Sequence, residues 1–343
     1  MSLIERRRFL SGASAFLALA AAGGRHAVHA QHSPPGPYRI ALVPDFDPAW
    51  ASIILKELAD TLRASGRIEG RDYVIYRSGV IIGQDDKLAL NRALESKPDL
   101  IITTSLGNAI DAQKRTKTIP IVMWYSGFPV EVGVAKSLAK PGMNVTGCTI
   151  YPGGAFFGKL LDLLHQAKPD VKRVGFLMSY VPPFHPRVEA DLIIKGMQNA
   201  AAPLGLDLRI LEIAHADQVD DALASVAAQG LEAMVLTSDP SLYARRMQVM
   251  QFAVARRLLT IADSGGWHWI EPEALLIYRV LGEVLMRQVG SFVERILWEG
   301  AKPGDLPIQL PARFSFRVNL KTANAIGLTI PRSLLIQADE VIE

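Results

Sequence analysis

The chain has 343 residues, enough for two domains of ordinary size, and its 49% hydrophobic and 21% charged residues are a globular composition, not a disordered one. The formal charge of +3 is local: residues 1–30 hold Arg6, Arg7, Arg8 and Arg25 against Glu5 alone, and the remainder balances at 33 basic and 33 acidic residues. A neutral body argues against a nucleic acid or other polyanion as partner.

The first 30 residues read as an export signal. Arg6-Arg7-Arg8-Phe9-Leu10 precedes an apolar run over 13–22 and then Val28-His29-Ala30, the charged, apolar and small-residue parts of a secretory leader. The RR-x-FL order resembles a twin-arginine signal, and a general secretory leader with extra arginines fits the same layout. Either route predicts a periplasmic protein, soluble after cleavage, with 31–37 as a polar, proline-rich tether. No later stretch of 18 apolar residues offers a membrane span.

From there strands and helices alternate. Strands are expected over 38–43 (YRIALV), 72–77, 100–104 (LIITT) and 119–124 (IPIVMW), with helices over 50–64, 85–95, 106–114 and 130–138. Nearly continuous apolar strands suit a parallel sheet covered on both faces. The stretch 136–150, KSLAKPGMNVTGCTI, is then read as a change of domain. Lys136 and Lys140 fit the negative end of a helix, Pro141-Gly142 stops it, and 144–150 follows as a β-rich hinge. The rhythm resumes with helices over 155–166, 188–204, 219–228 and 242–256 and strands over 173–178, 207–213, 233–237 and 258–262. Residues 264–278 are expected to be irregular, 281–298 helical, 303–311 extended, 313–318 a strand and 321–326 a short helix. The fold class is therefore α/β, with two doubly wound, Rossmann-like lobes joined by a hinge. Cys148 is the one cysteine, so no intrachain disulfide forms, and it reads as a buried, inert thiol.

These pieces resemble a family, the periplasmic substrate-binding proteins of ABC importers, and within it the tryptophan/tyrosine type. The resemblance rests on Ile119–Val122 with Pro129-Val130, on the SLA-basic-PG-x-N pattern over 137–147, and on GRIEGRD at 66–72. It is strongest in ILWEGAKPGDLP (296–307), FRVNLKTANAIGLTIP (316–331) and ADEVIE (338–343). It implies a type I periplasmic binding protein fold, with 38–145 and 279–308 in one lobe and 146–278 and 309–343 in the other. It also implies a monomer that takes a small-molecule ligand, delivers it to an ABC permease with its cytoplasmic ATPase, and touches the membrane only through that complex. Where the family has an aspartate before Pro129 this chain has Phe128, Met143 follows Gly142 in place of a second glycine, and of the family's GGL-x-SYGP only Leu275 and Tyr278 remain over 273–280. The Phe128 and 273–280 changes lie on loops expected to face the cleft and point to a different, more apolar pocket.

In open α/β sheets ligands bind at the carboxyl ends of the strands. The loops there supply Phe46, Ser105, Asn108, Ser126 and Phe128 from the first lobe and Tyr151, Ser179, Tyr180, Asp239, Asp263 and Tyr278 from the second. Ser105 either caps a helix or gives its hydroxyl to a ligand carboxylate. Asp239 and Asp263 suit an ammonium, although Asp239 also suits a helix cap, and the aromatic residues suit an apolar ring. The chain lacks G-x-S-x-G, H-E-x-x-H, G-x-x-x-x-G-K and G-x-G-x-x-G, and its histidines have no metal-ligand spacing. No metal, cofactor or catalytic residue is expected. A ligand-sensing module for a membrane receptor and an exported enzyme on this scaffold are the alternative readings, the first distinguished by its partner and the second by turnover.

Overall fold

The computed structural model describes residues 36–44, 48–80, 85–151, 154–179, 186–237, 240–263 and 274–343. The expected export signal lies outside them. The first sheet is wholly parallel, in the order β2 (Tyr73–Arg77), β1 (Tyr38–Val43), β3 (Leu100–Thr103), β4 (Ile121–Ser126) and β5 (Val145–Thr149). Ile40 to Val43 and Leu100 to Ile102 are fully buried because both faces are covered. On one face, α1 (Pro48–Ala64) offers Ile54, Leu58 and Leu62 at four-residue spacing to Leu285, Val289 and Phe292 of α9 (Gly282–Leu297). On the other, α2 (Asp86–Glu95) and α3 (Leu106–Arg115) pack with small residues, Ala89, Ala93, Ala109 and Ala112. Asp85 caps α2 by accepting the Leu88 N–H at 2.9 Å.

The second sheet has seven strands. Their order is β12 (Glu340–Ile342), β11 (Phe314–Asn319), β10 (Leu276–Val280), β9 (Leu259–Asp263), β8 (Ala233–Thr237), β6 (Arg173–Ser179) and β7 (Asp207–Ile213), and only the β10–β11 pair is antiparallel. One face is covered by α4 (Gly154–Ala167), α5 (Arg187–Ala201), α10 (Leu320–Ile326) and α11 (Arg332–Gln337), with Phe156, Leu160, Ile193 and Met197 in the core. The other is covered by α6 (Val219–Ala228), α7 (Pro240–Ala244) and α8 (Arg246–Ala255), through Leu223, Val226, Val249 and Met250. Both sheets are doubly wound. Among the described residues no helix is long and apolar enough to cross a membrane.

Four local expectations change. The helix expected over 130–138 is a run of turns. Val132 N–H donates to Phe128 O and Ala135 N–H to Pro129 O, and Gly133 at φ 78° breaks any helical ladder. Lys136 and Lys140 therefore sit on no helix end, although Gly142 does take the left-handed φ of 76° that its turn requires. The helix expected over 242–256 is interrupted at Arg245, whose guanidinium leaves the axis to pair with Asp220 at 2.9 Å. The stretch expected to be irregular, 264–278, runs into β10, a run of LIYRV hidden in the sequence by the Gly- and Trp-rich residues before it. Finally, α11 and β12 were not expected at all.

The chain passes between the sheets three times. β5 pairs with β4 from Val145 to Thr149 and so belongs to the first sheet along its whole length, which puts the first passage beyond Thr149. The second follows β10, whose Val280 already packs in the core beneath α1. The third follows Gln309, which lies beside β5: Thr149 N–H donates to Gln309 O at 2.9 Å and Gln309 N–H to Gly147 O at 2.8 Å. The buried Trp124 indole closes this region by donating to Gly282 O at 2.9 Å.

Candidate functional site

The facing strand ends bring four polar groups together. Tyr125 and the Gly127 amide come from the end of β4, Glu189 from the first turn of α5, and Asp263 from the last position of β9. Glu189 and Asp263 are buried, at 3% and 6% exposure. The Gly127 N–H donates to Glu189 Oε1 at 3.2 Å, and the Tyr151 hydroxyl stands 3.5 Å from Asp263 Oδ2. Glycine at 127 permits this close approach, because a Cβ there would lie 2.5 Å from Glu189 Oε1 and 2.9 Å from the Tyr151 ring. Burial, and after it the Asp263 charge, pushes the Tyr125 and Tyr151 phenols well above their ordinary pKa; the Arg279 charge opposes this at Tyr125. Both phenols stay protonated and able to donate.

Around them lies an aromatic shelf. Tyr151 contacts Phe128 at 5.2 Å between ring centroids, Phe157 at 5.3 Å and Phe156 at 5.5 Å, while Tyr278 stacks on Phe314 at 5.2 Å and 14°. Phe128 reaches this shelf from a backbone at φ 45°, a conformation unfavourable for a bulky side chain and retained here by the packing of its ring. Arg279, the residue after Tyr278, completes the charged groups.

Ser105 and Asn108 lie just beyond β3, on the same carboxyl edge of the first sheet as the end of β4. Ser105 is the N-cap of α3: its Oγ accepts from the Asn108 N–H at 3.2 Å and from Asn108 Nδ2 at 2.6 Å, and Nδ2 also donates to Asp86 Oδ2 at 3.0 Å. As an acceptor of two bonds, the Ser105 hydroxyl keeps its own hydrogen. Ser126 is buried at 1% and its Oγ has no hydrogen-bond partner among the described residues. The same holds for Thr149, its register partner on β5, and for Thr103 at the end of β3. Three unmatched hydroxyls thus line the carboxyl edge of adjacent strands. Ser179 closes β6. Phe46, Tyr180 and Asp239 lie outside the described residues.

Tyr125, Glu189 and Arg279 escaped the sequence reading. Tyr125 ends an apolar run and Arg279 interrupts one, an available signal; Glu189 looks like any acidic residue in a first turn. Cys148 is the core thiol expected of it, fully buried, with its pKa pushed up to about 12 by desolvation. Among the described residues no group of three His, Cys, Asp or Glu side chains could hold a metal ion. A separate groove of about 520 Å³ runs between α4 and α5 with Phe128 at its edge; among the described residues Lys195 is the one charged residue lining it.

Comparison with known proteins agrees with this architecture. A sequence model described as ABC transporter substrate binding protein matches residues 54–342. A tyrosine-binding protein of Clostridioides difficile is 25% identical over 238 residues, which is 69% of this chain and 66%, just under two thirds, of that protein. A conserved domain protein of Vibrio cholerae superposes with a TM-score of 0.77 at 22% identity, covering 89% of this chain and 99% of that one. An ABC domain of Streptococcus pneumoniae, solved in complex with L-Trp, gives 0.76 at 20% identity, covering 89% and 100%. The fold is that of type I periplasmic binding proteins, two α/β lobes. With nearly its whole described length matched, the chain belongs to the ABC transporter substrate-binding protein family.

Proposed function

We propose that this protein captures an aromatic amino acid, or a related aromatic carboxylate, between its two lobes and delivers it unaltered to a membrane permease driven by a cytoplasmic ATPase. The observation that carries this reading is the pairing of two buried carboxylates, Asp263 and Glu189, with the aromatic shelf of Phe128, Tyr151 and Tyr278. Buried acids suit an ammonium, and the shelf suits a ring. The tyrosine-binding relative and the tryptophan-bound structure support the same ligand class. The lobes divide near residues 150, 280 and 310, where the chain leaves one sheet for the other. Residues 1–30 act as the export signal, placing the binding domain in the periplasm as a monomer.

A ligand trapped this way must favour the closed state, since equal affinity for both states shifts nothing. A thermal-shift series with L-tyrosine, L-tryptophan, L-phenylalanine, L-leucine and L-glutamate tests the reading. Aromatic amino acids should raise the melting temperature well above the shift given by glutamate. A series in which none of the aromatic members has an effect refutes it.

A further inference from the structure

Arg279 is a largely enclosed charge with one loose partner. Its side chain is 13% exposed, its Nε is inaccessible to solvent, and among the described residues it makes no hydrogen bond. Its single ion pair, with Glu283 at the start of α9, is 3.8 Å long. Other arginines are better matched: Arg67 forks onto Glu294 at 3.0 and 3.1 Å, and Arg317 Nη2 donates to Glu340 Oε1 at 3.1 Å. Neither Asp263 nor Glu189 lies within ion-pair distance of the Arg279 guanidinium, so it is not their direct counter-ion, yet all three act electrostatically on the Tyr125 phenol and therefore share one neighbourhood. Removing the Nε donor from water without an acceptor is costly, and a planar anion is the partner that a guanidinium fork matches best.

We infer that Arg279 is the anion anchor of the cleft, receiving the ligand's carboxylate, while Asp263 and Glu189 receive its ammonium. This rests on the aromatic amino acid reading and adds to it a specificity determinant: the ligand must keep a free carboxylate. The position on β10 fits, because the strand enters the second sheet beside β9, whose end carries Asp263, and leaves it toward the first lobe through Val280.

The test is a cycle of two proteins and two ligands. L-Tyrosine and tyramine share a ring and an ammonium and differ by the carboxylate. Calorimetry on the wild-type protein should show tyrosine binding tighter by about 10- to 100-fold. In Arg279→Met that preference should collapse to within about threefold, through loss of tyrosine affinity with tyramine unchanged or improved. Equal losses for both ligands would mark Arg279 as a packing residue and overturn the assignment, as would an unchanged preference. Wild-type protein that prefers tyramine, or binds the two alike, also overturns it while leaving the aromatic reading intact. Wild-type protein that binds neither these two nor L-tryptophan overturns both. Arg279→Gln carries the same test should the Met variant fail to fold.

Discussion

Gly127 is where closure of the two lobes is most exposed to a single methyl group. Its amide meets Glu189 at 3.2 Å, and a Cβ would fall 2.5 Å from the same carboxylate and 2.9 Å from Tyr151. Gly127→Ala should leave each lobe folded and penalise only the arrangement in which they touch. Lengthening the bond to a charged acceptor removes about 1.5–3 kcal/mol and overpacking adds about 1–3 kcal/mol, part of which relaxation recovers. A net loss of about 2–4 kcal/mol from the closed state weakens ligand binding by about 30- to 1,000-fold. Calorimetry with whichever aromatic amino acid stabilises the wild-type protein reads this directly, and small-angle scattering should show the variant more extended in the presence of that ligand. An affinity within about threefold of wild type, with superimposable scattering curves, would refute the reasoning.

Three other outcomes are expected. Phe128→Gly relieves an unfavourable backbone but deletes the ring on Tyr151, effects of about 1 kcal/mol each and opposite sign, so urea unfolding should move by less than about 1.5 kcal/mol while ligand affinity falls about tenfold. Cys148 holds its proton to about 12 when folded but releases it near 9.0 when unfolded, so its contribution to stability is complete below pH 9 and declines as pH rises from 9 to 12. Chemical denaturation over that range should show a shallower decline for Cys148→Ala, and a thiol reagent at pH 8 should leave the native wild-type thiol unlabelled. Gly290→Val forces new atoms against Thr61, which a Cβ would already approach to 2.8 Å, and should cost about 1–3 kcal/mol in urea titration by separating α9 from α1.

The sequence disclosed the parallel strands because burial on both faces leaves nothing polar in runs such as YRIALV and LIIT. It disclosed the Ser105 cap because a serine ahead of an amphipathic run has a local geometric reason to be there. The turns over 130–138 were hidden because Val130, Val134 and Leu138 have helical spacing, and only the left-handed Gly133 and tertiary packing decide against a helix. The charged part of the site was hidden for another reason. Tyr125, Glu189, Asp263 and Arg279 are separated by long stretches of chain, and only the strand order places them at one edge. Asp263 was found because it ends a strand in sequence; Arg279 was missed because its strand was read as a loop.

The three passages between sheets carry a consequence for dissection of the molecule. The first sheet's helix α9 comes from sequence that follows β10 of the second, and the last strands return to the second again. Neither half corresponds to a continuous piece of the gene. A stop codon placed after Thr149 would yield a first sheet lacking the helix that covers α1, and a protease nick in any one passage would leave the halves tethered by two others. Isolating either half therefore requires splicing noncontiguous segments together.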